Sequence, residues 1–171
     1  MRERLIIAGA CVLAVLLQMF VAPYISLFGG MPNFPVIVVM LVAISQAGSY
    51  GPVVPFVMGL VFDFMSGGPL GAMSFSLTLW SVAASVIFAV ADNDTLFMPI
   101  VAILVGLFFT ELSYGVFLQI MGYNAGFFQA VVYRVLPCFV YDGVIAALLF
   151  PLVRRLFSPP MPVQPSVTQL R

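Results

Sequence analysis

The chain has 171 residues, of which 63% are hydrophobic and 7% are charged, whereas about 25% of the residues in an average soluble protein are charged. Six basic residues, all arginine, balance six acidic ones, so the net charge is zero and the composition gives no support to binding of nucleic acid or of an anionic surface. Too few polar residues are present to cover a water-soluble core of this size. The composition therefore predicts a single membrane domain.

The residue types that usually carry catalysis and metal binding are scarce. The chain has no histidine and no lysine, and its two cysteines, Cys11 and Cys138, lie in apolar segments without a CxxC spacing. Serine has no base nearby in the sequence that would activate it as a nucleophile. The commonest metal ligand is also missing. We therefore predict no enzyme, no catalytic residue, no cofactor and no metal site.

Hydrophobic segments long enough to consider as membrane spans follow one another along the chain. A span needs about 20 mostly apolar residues, and the segments are residues 5–28, 34–65, 73–91, 96–120 and 127–156. Residues 29–33 (Gly-Gly-Met-Pro-Asn) predict the first turn. The second segment is interrupted at residues 48–52 (Gly-Ser-Tyr-Gly-Pro), so we interpret it as two short helices, residues 34–47 and 52–65.

Arginine placement decides the number of crossings. Arg2 and Arg4 precede the first segment, and Arg154 and Arg155 close the last, so the positive-inside rule places both ends in the cytoplasm. An even number of crossings follows, which excludes a single long second helix. Six crossings are favoured, and four remain open if the second and third helices form a re-entrant pair.

The predicted fold is an all-α integral membrane protein, a polytopic bundle of about six transmembrane helices with short or broken second and third helices. Residues 1–157 form its single transmembrane domain. Residues 158–171 contain four prolines (SPPMPVQPSVTQLR), and this composition predicts a disordered cytoplasmic tail.

Four ionisable residues fall inside the predicted spans: Asp63, Glu111, Arg134 and Asp142. Counting along the helices places Glu111 about 14 Å and Arg134 about 10 Å below the outer surface. We therefore expect them to form an intramembrane pair. Asp142 lies about 12 Å deeper than Arg134, without a cation at its own level. It is predicted to be unpaired, and is either protonated, hydrogen-bonded by Ser, Tyr or backbone groups, or exposed to a cavity or partner.

One segment combines a charge with helix-breaking residues. No charged residue lies between Arg4 and Asp63, and Asp63 then occurs within Gly-Leu-Val-Phe-Asp-Phe-Met-Ser-Gly-Gly-Pro-Leu-Gly, residues 59–71. An ionisable group at membrane depth is a functional-site candidate by default. The string resembles the rod shape-determining protein MreD family, and the residues that carry the resemblance are Gly59, Asp63, Ser66, Gly67, Pro69, Leu70 and Gly71. Chain length, hydropathy and the closing arginine pair resemble that family as well.

The resemblance implies a multi-pass protein of the bacterial inner membrane that belongs to the cell-elongation, or rod-shape, machinery for peptidoglycan synthesis. In that family the implied role is a non-enzymatic scaffold beside MreC, the actin-like MreB and the wall synthases of the SEDS and penicillin-binding classes. Because Ser66 to Pro69 cannot continue a helix, we expect this segment to expose Asp63 at the outer surface. The partner-interface candidates are Asp63, Ser66, Gly67, Pro69, Leu70 and Gly71. A homodimer is left open.

A second family offers an alternative function. The substrate-binding membrane subunit of energy-coupling-factor vitamin transporters is also a bundle of about six helices, and its first helix carries Ala-x3-Ala motifs. Ala10 and Ala14 have this spacing. The predicted outer loop at residues 29–33, however, supplies only Asn33 as a polar group for a vitamin site.

Overall fold

The computed structural model describes residues 2–26, 30–45, 51–90, 97–122 and 131–157. These residues form six α-helices: α1 (Arg2–Phe20), α2 (Phe34–Ser45), α3 (Val53–Ser66), α4 (Ala72–Val90), α5 (Phe97–Ile120) and α6 (Leu136–Phe157). Four of these helices, α1, α4, α5 and α6, are long and apolar enough to cross a membrane, while α2 and α3 are shorter. The prediction of a helical membrane protein with short second and third helices is confirmed.

The first helix is shorter than its apolar segment. α1 ends at Phe20 rather than near residue 28, and a single 3₁₀ turn follows at Ala22–Tyr24. Pro23 lies in this turn. Its missing N–H, and the clash of its ring with the carbonyl four residues earlier, prevent continuation of the α-helix. The predicted tail at residues 158–171 lies outside the described residues.

The second helix is the centre of the bundle. The α2 sequence FPVIVVMLVAIS is apolar on every side, and most of its side chains are fully buried, among them Val36, Ile37, Met40 and Leu41. A helix that is hydrophobic all round is buried, and α2 contacts each of the other five helices described. With 12 residues it is about 18 Å long, which is less than the roughly 30 Å thickness of a bilayer core.

The short third helix packs closely against α4. At Gly59 the two backbones approach so closely that an added Cβ would lie 2.4 Å from the Cα of Ser74. No side chain fits there without displacing a backbone. Gly59 therefore sets the separation of α3 and α4.

Replacing Gly59 by alanine is expected to lower the stability of the folded chain by about 1–3 kcal/mol, the usual cost of overpacking a tight interior. Gly9→Ala is the matched control, because Gly9 lies in α1 and no atom lies within 4 Å of its added Cβ. Thermal unfolding in detergent should show a lower Tm for Gly59→Ala and an unchanged or higher Tm for Gly9→Ala. Equal Tm values would contradict the close approach.

Candidate functional site

The carboxylate of Asp63 caps the start of α4. Its Oδ2 accepts hydrogen bonds from the backbone N–H of Gly71 at 2.9 Å and of Ser74 at 3.2 Å, and from the Ser74 hydroxyl at 3.1 Å. Its Oδ1 accepts from the N–H of Met73 at 3.0 Å. These N–H groups belong to the first turn of a helix, which has no internal acceptors for them. The negative charge also lies at the positive end of the helix dipole.

The turn between α3 and α4 is built by glycine and proline. α3 ends where Gly67 adopts a left-handed conformation with φ of 63°, which glycine reaches without steric cost. The chain then reverses through Pro69, whose carbonyl accepts from the N–H of Ala72 at 3.2 Å. Leu70 lies at the tip of this turn with 66% of its surface exposed. The segment 67–71 is therefore a fixed, protruding turn.

The expectation that Asp63 is exposed at the surface is wrong for this chain. Only 1% of its surface is accessible, because the first turn of α4 folds over its carboxylate. Among the other interface candidates, Ser66, Gly67 and Leu70 are exposed, and Pro69 and Gly71 are partly so. Asp63 positions the turn from beneath, and a partner would meet its neighbours.

Asp63→Asn is expected to lower the free energy of unfolding by about 2 kcal/mol, since the amide nitrogen would face backbone donors and leave at least one of them unsatisfied. Leu70→Ala is the control at the same turn, because its side chain is exposed and makes no comparable bond. Thermal unfolding of both variants in detergent tests this. An Asp63→Asn protein as stable as Leu70→Ala would show that the cap is dispensable.

A second polar cluster surrounds the start of α2. The amide oxygen of Gln18, on α1, accepts from the backbone N–H of Phe34 at 2.9 Å. Asp142, on α6, accepts through Oδ1 from the N–H of Asn33 at 2.8 Å. Pro35, which follows Phe34, has no N–H, so the start of α2 has one donor fewer to satisfy. Side chains from both flanking helices therefore satisfy the backbone at the start of the central helix.

Asn33 joins two buried acidic residues, Glu111 and Asp142. Its amide nitrogen donates to Glu111 on α5, while its backbone N–H donates to Asp142. The depth estimate from the sequence separates the two carboxylates, but one residue bonds to both. Asn33 itself is buried, with 7% of its surface exposed, and does not lie in a surface turn as predicted.

Arg134 and Asp142 are the remaining ionisable residues predicted to lie inside the membrane. The side chain of Arg134 lies outside the described residues, so its pairing with Glu111 stays a prediction. For Asp142, the structure shows the backbone hydrogen bond among the alternatives left open by the sequence. The second oxygen of Asp142, Oδ2, is buried and has no hydrogen-bond partner within the described part of the chain.

Gln18 and Asn33 are the site residues that sequence reasoning missed. Gln18 is the one strongly polar side chain of the membrane part of α1, and Asn33 precedes a Phe-Pro pair that opens an apolar run. Asparagine followed by an early proline is a typical helix start. This signal indicates where α2 begins, but not which residues bond there.

Asp142→Asn and Asp142→Leu separate the capping role of Asp142 from its charge. Asparagine keeps an oxygen for the Asn33 N–H, whereas leucine has a similar size and no acceptor. The leucine variant is expected to be less stable than the asparagine variant by about 1–3 kcal/mol, the cost of a buried unsatisfied N–H. Chemical or thermal unfolding in detergent measures this difference, and equal stability of the two variants would contradict the capping role.

The comparison with known families bears directly on these residues. A family model described as rod shape-determining protein MreD matches residues 3–159, which include both polar clusters and the turn at residues 67–71. The chain belongs to the MreD family. No curated protein sequence and no solved structure matches it significantly.

Membership of the MreD family supports a role in determining rod shape, as the resemblance from residues 59–71 implies. The four long apolar helices agree with a membrane protein. None of the comparisons favours the vitamin-transporter alternative. Within this MreD chain, the acidic residues found inside the bundle, Asp63, Glu111 and Asp142, all accept hydrogen bonds that fix the backbone or Asn33.

Proposed function

We propose that the chain is a non-enzymatic scaffold of the bacterial cell-elongation machinery, and that it binds MreC and wall synthases of the SEDS and penicillin-binding classes. The observation that carries this proposal is the match of the MreD family over residues 3–159. Gln18, Asp63 and Asp142 accept hydrogen bonds from the backbone at the starts of α2 and α4. Such a use of polar groups suits a rigid holder of partners.

The proposed location is the bacterial inner membrane, with both termini in the cytoplasm. Arg4 lies near the start of α1, and Arg154 and Arg155 lie in the last turn of α6. The positive-inside rule assigns both of these helix ends to the cytoplasm. The turn between α3 and α4 then faces the periplasm, on the side where a periplasmic partner is reached.

The proposed MreC interface is the protruding turn at residues 67–71, together with Ser66. Leu70 offers an exposed apolar side chain at the tip, and large apolar side chains in the centre of an interface commonly contribute much of the binding energy. Asp63 contributes through the shape of the turn, because its bonds to Gly71 and Met73 hold the backbone below Leu70.

Leu70→Arg is expected to reduce MreC recovered by affinity purification in mild detergent at least tenfold, since a charge would be placed in an apolar contact. Its Tm should stay that of the unchanged protein, because Leu70 is 66% exposed. Bound proteins are identified by mass spectrometry from native membranes.

Val53→Arg is the matched control, because Val53 is 71% exposed at the opposite end of α3. It should recover MreC as the unchanged chain does. Full recovery with both variants would place the interface elsewhere on the bundle. Recovery of paired ATPases and a coupling subunit in place of MreC and a synthase would overturn the scaffold proposal.

A further inference from the structure

A cavity of about 660 Å³ opens near the end of the bundle at which α1 and α3 terminate, a volume in the range of small-molecule sites. Its polar lining comes from four separate parts of the chain. These are Gln18 of α1, Asn33 before α2, Ser66 of α3, and Glu111 and Tyr114 of α5. Polar groups from α1, α3, α5 and the segment before α2 therefore converge on one cavity, as they do in small-molecule binding sites.

The amide of Gln18 presents an unused donor to this cavity. Because its oxygen accepts from the N–H of Phe34, the amide orientation is fixed and the nitrogen lies at the other end. Within the described residues, this nitrogen makes no hydrogen bond to protein. A ligand with a hydrogen-bond acceptor would satisfy it.

The hydroxyl of Ser66 adds a second available group. Its contacts with the Asp63 carbonyl, the Tyr114 hydroxyl and the Gly68 N–H are all 3.4 Å long, at the outer limit for hydrogen bonds that involve a hydroxyl. Ser66 is also exposed. A shorter bond to a ligand would therefore replace weak contacts.

The mouth of the cavity is apolar and adaptable. Met19, Met31 and Met65 line it and are 54%, 39% and 37% exposed, respectively. Methionine is unbranched and adjusts to irregular ligand shapes. The cavity thus combines polar groups inside with a flexible apolar rim at the membrane-facing surface, which is the pattern expected for an amphiphile.

We propose that this cavity binds the head group of an uncharged amphiphile that carries neighbouring hydroxyl groups, with its acyl chain leaving between the methionines. A hydroxyl both donates and accepts, so one diol can accept from the Gln18 amide and exchange a bond with Ser66. This proposal does not rest on the scaffold role. Gln18 and the three methionines of the cavity lie apart from the turn at residues 67–71, and Ser66 is the residue that the cavity shares with the proposed MreC interface.

The test uses the full chain purified in an alkyl dimethylamine oxide, a detergent without hydroxyl groups, and measures bound lipid by native mass spectrometry. The probes are a monoacylglycerol, with two free hydroxyls, and the methyl ester of the same fatty acid, with none. The monoacylglycerol is expected to be retained at least tenfold more than the ester. Equal retention would overturn the proposal, since it would show apolar adsorption only.

Two tryptophan variants locate the site. Met65→Trp places a ring at the mouth and is expected to remove monoacylglycerol retention, whereas Leu148→Trp adds the same ring to an exposed position of α6, 72% accessible, and should leave it unchanged. Ser66→Ala only removes a hydroxyl, and it serves as the second test of the site if Met65→Trp does not fold. It should weaken retention of the monoacylglycerol about tenfold. Undiminished retention in a folded Met65→Trp protein, or in Ser66→Ala, would refute the site.

Discussion

The rest of the structure depends on how the first backbone N–H groups of α2 are satisfied away from water. α2 is only 12 residues long, is buried, and touches each of the other five described helices. An unsatisfied N–H in an apolar interior costs about 1–3 kcal/mol, so a short central helix needs acceptors from its surroundings. Gln18 and Asp142 provide them from two flanking helices, and this ties α1 and α6 to the same point of the core.

The same physical solution recurs at α4, where Asp63 of the preceding helix accepts from Gly71, Met73 and Ser74. A carboxylate suits this position because it accepts several bonds at once and favours the positive end of the helix dipole. Charge inside a bilayer is costly. Among the described residues, two of the three buried acids, Asp63 and Asp142, offset that cost with backbone donors that would otherwise be buried without partners.

The sequence predicts the helices well, because hydrophobic length and helix-breaking residues are local signals. The division of residues 34–65 into two short helices follows from the Gly and Pro residues at positions 48–52 and from the even number of crossings that the arginines require. The hydrogen bonds that cap the helices cannot be predicted in this way, because the sequence does not show which distant side chain accepts from a given backbone N–H. Asn33 and Asp142 are 109 positions apart, and counting depth from the ends of the apolar segments separates Glu111 from Asp142, whereas both accept hydrogen bonds from Asn33.

Asp63 illustrates how a buried residue can determine the shape of an exposed turn. Its bonds fix the backbone from Gly71 to Ser74, and Gly67 closes α3 in a left-handed conformation. The tip of the turn is therefore held from both sides, so Leu70 is exposed without being free to collapse onto the bundle. Ordering a flexible loop on binding costs free energy. A turn that is already ordered avoids this cost. In this chain the order of the turn comes from one acid, several glycines and a proline within residues 63–71.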